Sequence, residues 1–175
     1  MPRLSPRTYE TIALLTLHAY ASWMPDRVEG FYKNRSGLHA QNLDEAAQYT
    51  KRPREDNVCF NAVHQQLLLD EARLASSWQN LRLFVAATDR QHLHLLVGFD
   101  GERTPKAVRV AMKTSVTRRL NAEFARRTWF SGNGTDRLVR NREHFVHLCD
   151  EYLLNHRGLR WDWREEATRD PTAGR

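Results

Sequence analysis

Three short stretches of the chain have the apolar content and the alternation that are typical of β-strands. They cover residues 12–15, 81–87 and 93–99. The tight polar turn Thr88-Asp89-Arg90 connects the second stretch to the third, and this arrangement predicts an antiparallel hairpin.

Apolar residues at helical spacing follow three N-cap signals. Asn61 begins a helix predicted to run to about Ser77, with an apolar face made by Val63, Leu67, Leu68 and Leu74. Thr104-Pro105 begins a second helix, whose predicted buried stripe consists of Val108, Met112, Val116 and Leu120. Asn141 caps the last long helix, whose broad apolar face contains Phe145, Leu148, Cys149 and Tyr152.

The order of these elements predicts one compact α+β domain over residues 1–175, because the chain has no internal repeat and no low-complexity tract. Residues 27–57 are polar and irregular, and we interpret them as an insertion of loop character. We expect a flexible C-terminal tail after about residue 165.

The net charge of the chain indicates which class of partner it binds. The formal net charge is +6, with 27 Lys and Arg residues and a pI near 9.7. Such a balance favours a polyanionic partner, although a solvated basic surface has the same composition. Two cysteines, Cys59 and Cys149, are too few for a disulfide scaffold, and no apolar run is long enough to span a bilayer. We therefore expect a cytoplasmic protein without a membrane partner.

Two histidines stand on the third predicted strand, separated by one apolar residue. Strand alternation places His92 and His94 on one face, which we expect to be polar, and Leu93 and Leu95 on the core face. Residues two apart on a strand are about 7 Å apart, so both imidazoles can reach one metal ion. A hydrogen-bonded surface pair is the alternative.

The last predicted helix carries a second chemical signal. Tyr152 and His156 are four residues apart and share a helix face, and Gly158 is placed as the C′ residue that ends the helix. A phenol one turn from a metal ligand suggests nucleophilic attack at a metal-polarised centre. The alternative is a half-buried amphipathic tyrosine without a chemical role.

Together these motifs resemble the HUH single-tyrosine transposases, including the REP-associated tyrosine transposases, over most of residues 12–163. The likeness includes the histidine–hydrophobic–histidine strand, the closing segment 152–158, the basic segment 112–120 and the opening segment 15–26 with its Trp-Met-Pro turn. His156 stands where relatives have Gln, Asn or Glu, and Asn155 is a substitute ligand. Gln91 stands where many relatives have Asn.

The resemblance implies a ferredoxin-like antiparallel sheet with helices on its faces. It also implies cleavage and rejoining of single-stranded DNA through a 5′-phosphotyrosine on Tyr152, with Mg²⁺ or Mn²⁺ held by His92, His94 and His156. The partners expected are a hairpin-containing single-stranded DNA and a second copy of the chain.

Basic residues of the second helix are the predicted DNA contacts: Lys113, Arg118, Arg119 and Arg109. Four aromatic residues are candidates either for stacking bases or for the core: Trp129, Phe130, Trp161 and Trp163. Two other functions stay open. One is a catalytically silent nucleic-acid-binding protein derived from a transposase, and the other is a metal-dependent phosphodiesterase in which water is the nucleophile.

Overall fold

A computed structural model describes residues 11–22, 31–33, 37–44 and 56–169, with backbone only for 31–33, 37–39 and 167–169. The strands are β1 (Thr11–Ala19), β2 (Phe31–Lys33), β3 (Gly37–His39), β4 (Arg82–Thr88), β5 (His92–Phe99), β6 (Phe130–Leu138) and β7 (Arg160–Asp162). The helices are α1 (Ala62–Trp78), α2 (Pro105–Glu123), α3 (Arg142–His147) and α4 (Trp163–Arg169), with a π-helical turn at Leu148–Tyr152.

Five strands form one antiparallel sheet in the order β6-β1-β5-β4-β7. The elements β1, α1, β4, β5, α2 and β6 follow each other as the βαββαβ unit of a ferredoxin-like fold. The predicted α+β class, the antiparallel hairpin of β4 with β5 and the helices packed on the sheet are confirmed.

The main core lies between the sheet and the two long helices. Leu93, Leu95 and Val97 of β5 point to this side and are fully buried, as the alternation predicted. The stripe predicted for α2 is also confirmed, because Val108, Met112, Val116 and Leu120 are fully buried.

A second apolar cluster lies on the opposite face of the sheet, beneath α3 and the π turn. It contains Leu14, Val85, Ala87, Leu96, Leu148, Cys149 and Leu153. Leu96 lies on the same face of β5 as the two histidines and is fully buried. The expectation that this face is polar was therefore wrong, because the segment after Asn141 covers it and removes it from water.

Helix α1 begins as predicted, but only part of its predicted apolar face is buried. The Asn61 side chain accepts a hydrogen bond from the His64 backbone N–H at 2.9 Å. Leu68 is fully buried and Leu67 packs against the core, as predicted, but Val63 is 63% exposed and Leu74 43% exposed. The stripe that contacts the core also contains Leu69, Ala72 and Ala75. The two small alanines let the helix approach the sheet, and they complete the buried stripe that the leucines begin.

The predicted insertion at 27–57 contains some regular structure, because β2 and β3 pair antiparallel within it. The predicted loop around residues 51–55 and the Trp-Met-Pro turn at 23–25 lie outside the described residues. Helix α4 continues past residue 165, where the tail was expected to start. Among the described helices, none is long and apolar enough to cross a membrane.

Candidate active site

The covered face of the sheet aligns two histidines of β5 with two polar residues of β1. Thr16 is the register partner of His94, and His18 is the partner of His92. His94 is 5% exposed, and its Nδ1 lies 2.9 Å from the Thr16 hydroxyl. The rings of His18 and His92 meet edge to face at 5.0 Å. Sequence reasoning missed His18 and Thr16, since only the strand register brings them to the site.

Tyr152 reaches this face at the end of the π-helical turn. Asn141 caps α3 as predicted, but the helix then widens, and the Leu153 N–H bonds the Leu148 carbonyl at 2.9 Å, five residues back. The predicted long helix is therefore short and interrupted. π-Helical turns occur frequently at functional sites. The Tyr152 side chain is 41% exposed, and its ring centroid lies 5.8 Å from that of His94.

His156 lies beyond the helix but still meets Tyr152. Its Nδ1 donates to the Tyr152 carbonyl at 2.9 Å, so the other ring nitrogen, Nε2, keeps its lone pair for a ligand. The His156 ring centroid is 4.3 Å from that of His94 and 5.1 Å from that of Tyr152. The neighbouring Asn155 side chain donates to the Glu151 carbonyl at 2.8 Å.

Gly158 does not end a helix in the left-handed conformation that a C′ residue adopts, so that prediction was wrong. A Cβ at this position would lie 2.1 Å from the Thr88 carbonyl oxygen and 2.4 Å from Gln65 Oε1. The glycine is needed because the segment after His156 passes directly over the end of β4. This contact fixes the position of the His156 segment against the sheet.

Asp89, in the turn before β5, is a third site residue that sequence reasoning missed. Its Oδ1 accepts the backbone N–H groups of Gln91 at 2.6 Å and His92 at 2.7 Å, which closes the hairpin. Its Oδ2 lies 2.9 Å from His92 Nδ1, so the imidazole donates to the carboxylate. The sequence signal that could have identified Asp89 is its position three residues before the first histidine of the strand.

Three of these side chains could hold a metal ion together. Asp89, His94 and His156 each offer one ligand atom, and these atoms lie within 4.8 Å of one another. Ligands about 2.1 Å from one ion stand roughly 3 to 3.5 Å apart, so small side-chain rotations would close the group around an ion. His92 lies next to this group, with its ring centroid 5.6 Å from that of His94.

The charge states of these residues suit a cation. Burial lowers the pKa of His94 to about 3, and the neighbouring imidazoles of His156 and His92 add to the effect. Burial raises the pKa of Asp89, but hydrogen bonds from His92 and Gln91 outweigh it and hold the pKa at about 2. A neutral imidazole and an ionised carboxylate are the forms that bind metals.

An open cleft of about 1030 Å³ adjoins the group. Asp89, His92, Tyr152 and His156 all line it, so each can be approached from solvent. Arg90 and Arg157 line it as well and contribute positive charge. The cleft is large enough for an extended polyanionic ligand to reach the Tyr152 oxygen.

The predicted DNA contacts lie in a different layer. Helix α2 packs on the main core, which is on the other face of the sheet from Tyr152. Arg109 is buried and paired with Asp136, and Lys113 donates to the Ser131 carbonyl at 2.5 Å. Arg118 and Arg119 are exposed, and Arg119 pairs with Glu123 at 2.9 Å.

Of the four aromatic residues considered for base stacking, Trp161 and Trp163 are partly exposed, and the other two belong to the core. Trp129 is 4% exposed and Phe130 3% exposed, and both belong to the main cluster. The Trp129 indole donates to Asn121 at 2.9 Å, and the Arg127 guanidinium lies over its ring. Neither ring is available to a base.

No protein-family model and no curated protein sequence matches the chain. Several solved structures are similar to it, and two of them illustrate the likeness. The first is a REP-associated tyrosine transposase bound to a REP hairpin, with 13% identity, a TM-score of 0.45 and coverage of 87% of this chain and 70% of that one. The second is a Deinococcus radiodurans R1 protein classed provisionally as a transposase, with 16% identity, a TM-score of 0.43 and coverage of 91% and 100%. Because both TM-scores are below 0.5, neither similarity supports a function for this chain.

Proposed function

We propose that the protein is a transposase-like enzyme that cleaves and rejoins single-stranded DNA through a covalent bond to Tyr152. One observation carries the proposal. A half-exposed tyrosine, the neutral buried imidazole of His94 and the imidazole of His156 meet with ring centroids 4.3 to 5.8 Å apart, beside an open cleft. A nucleophile beside a group of metal-ligand side chains is the arrangement that phosphoryl transfer requires.

The proposed reaction is an exchange of one phosphodiester for another. The Tyr152 oxygen forms a bond to phosphorus and loses its proton, while the bond from phosphorus to the 3′-oxygen breaks and that oxygen takes up a proton. The 5′ phosphate stays on the tyrosine, and the other fragment leaves with a free 3′-hydroxyl. Attack by a 3′-hydroxyl reverses the step without an energy source.

The protein's part in this step is to position Tyr152 and to keep a cation site ready. The π turn presents the phenol, and the hydrogen bond from the His156 side chain to the Tyr152 backbone carbonyl holds the imidazole beside it. A bound Mg²⁺ or Mn²⁺ would polarise the scissile phosphate and offset its developing charge.

We propose His94 and His156 as two ligands of this cation. Their hydrogen bonds support the assignment, because Nδ1 of each ring faces a protein oxygen and Nε2 is left for an ion. Asp89 is the third ligand that the geometry favours, with His92 orienting its carboxylate. His92 itself, the ligand expected from the sequence, is the alternative.

The test is capture of the covalent adduct. A pool of single-stranded oligonucleotides with hairpins and randomised sequence, labelled at either end, is incubated with the protein and Mn²⁺ or Mg²⁺ and then denatured. We expect the wild type to retain the label on the side of the 5′ phosphate and to release the other fragment. Tyr152→Phe should bind the DNA and give neither product.

Tyr20→Phe is the matched control, because Tyr20 packs against the main core on the other face of the sheet. It should form the adduct at the wild-type rate. An adduct that persists in Tyr152→Phe would refute the assignment of the nucleophile. Cleavage without any adduct would favour the water-dependent phosphodiesterase, and binding without cleavage would favour the silent binding protein.

A further inference from the structure

A strip of three arginines lies where β6 passes into α3. Arg137, Arg140 and Arg142 are all exposed, and among the described residues none of their side chains has a hydrogen-bond or ion-pair partner. Glu143 is the one acidic residue within 137–143. The backbone beneath the strip is held in place, since the Arg140 N–H bonds His144 Nδ1 at 3.3 Å and Asn141 caps α3.

The strand register places the start of this strip on the face that carries Tyr152. Arg137 pairs with Leu14 of β1, which belongs to the second apolar cluster. Thr135 pairs with Thr16, and Thr16 in turn pairs with His94. Cross-strand partners point to the same side of a sheet, so Arg137 and His94 share a face.

The chain stays against that face of the sheet as it enters α3. Val139 and Phe145 pack against the second apolar cluster, and Arg140 and Arg142 stand between them in the chain. Two strand spacings of about 4.8 Å and two residues of about 3.4 Å separate Arg137 from His94, which places their backbones roughly 12 Å apart. The acidic neighbour Asp136 points to the opposite face, where Arg109 pairs with it.

We infer that Arg137, Arg140 and Arg142 bind the phosphate backbone of the single strand that leads to Tyr152. This inference rests on the proposed function, because it names the path of the substrate of that site. Phosphates are the groups that unpaired, exposed arginines bind most readily in nucleic acids. The basic helix α2, by contrast, lies on the other side of the sheet and cannot contact the nucleotides next to Tyr152.

The test compares two variants with the same change in charge. Arg137→Gln/Arg140→Gln removes two charges from the strip. Lys106→Gln/Arg126→Gln removes two exposed charges from the α2 layer that have no ion-pair partner in the described part of the chain. Arg142 is left unchanged because a substitution in the first residue of α3 also alters the helix. Affinity for a fluorescent oligo(dT) is measured without divalent metal over a range of NaCl concentrations.

Each contact with a phosphate of a single strand contributes about 0.7 to the slope of log K against log salt. The strip variant should therefore lose about 1.4 from the slope, and roughly 25-fold in affinity at about 0.1 M salt. The α2-layer variant should keep the wild-type slope. A wild-type slope in the strip variant, or an equal loss in both variants, overturns the inference.

A second measurement separates this inference from the proposed chemistry. If the wild type forms the Tyr152 adduct, the strip variant should form it slowly at low DNA concentration and at the wild-type rate when DNA is saturating. A lower rate at saturating DNA would mean that the strip acts on chemistry and not on binding, which also overturns the inference. The oligo(dT) result does not depend on whether any adduct forms.

Discussion

The identity of the third metal ligand can be decided with Asp89→Asn. The asparagine oxygen still accepts the backbone N–H groups of Gln91 and His92, so the hairpin turn is preserved. The amide that replaces Oδ2 cannot bind a cation, and it cannot accept from His92 Nδ1. The substitution therefore removes one ligand without removing the turn.

The expected magnitude follows from linkage between binding and folding. At a metal concentration of about 100 times Kd, the wild type gains about 2.7 kcal/mol, which raises Tm by about 5–11 °C for a domain of this size. If Asp89→Asn weakens binding about 100-fold, the gain at the same concentration falls to about 0.4 kcal/mol, or about 1–2 °C.

His92→Ala is the informative partner variant. On this geometry His92 only orients Asp89, so its loss should weaken binding about 10-fold and leave a rise of about 3–6 °C. The assay is thermal unfolding with and without Mn²⁺, with calorimetric titration for Kd. Asp70→Asn, on the far helix α1, should match the wild type. A rise abolished by His92→Ala and retained by Asp89→Asn would refute the reasoning and make His92 the ligand.

Three further outcomes are expected. Gly158→Ala should lower the free energy of unfolding by about 1–3 kcal/mol in urea titrations, because the new Cβ would meet the Thr88 carbonyl at 2.1 Å. An unchanged urea midpoint would contradict the close approach of the two segments. His156→Ala should reduce Mn²⁺ affinity more than Asn155→Ala does. The reverse ranking would assign the ligand to Asn155. Burial lowers the pKa of His18 in the folded protein to about 4, whereas in the unfolded chain it is about 6.5. As pH falls from about 6.5 to 4, the unfolded chain therefore takes up the proton before the folded protein does, and the metal-free protein loses stability. His18→Gln should flatten this dependence in urea titrations at each pH, and an equally steep curve would show that His18 does not contribute.

The sequence was a good guide wherever a signal is local. Alternation predicted which residues of β5 enter the main core, and Asn61, Thr104 and Asn141 marked where helices begin. Capping and alternation depend on a few neighbouring residues, so no knowledge of the rest of the chain is needed.

Local patterns failed where packing from a distant segment decides the outcome. Half of the predicted apolar face of α1 is exposed, because Ala72 and Ala75, which permit close approach, face the core in place of Val63 and Leu74. The histidine face of β5 was expected to be polar because its cover comes from residues about 50 positions later. Gly158 reads as a helix end in the sequence, yet it serves a close contact with β4.

The candidate site divides in the same way. The sequence by itself determined the reactive residue types and their local spacing: Tyr152, His156 and the strand pair His92 and His94. Only the tertiary structure decided that Asp89 joins them and that the basic helix α2 lies on the other face of the sheet. The physical reason is that ligand groups and sheet faces are defined by strand register and layer order, which depend on contacts between residues far apart in the chain.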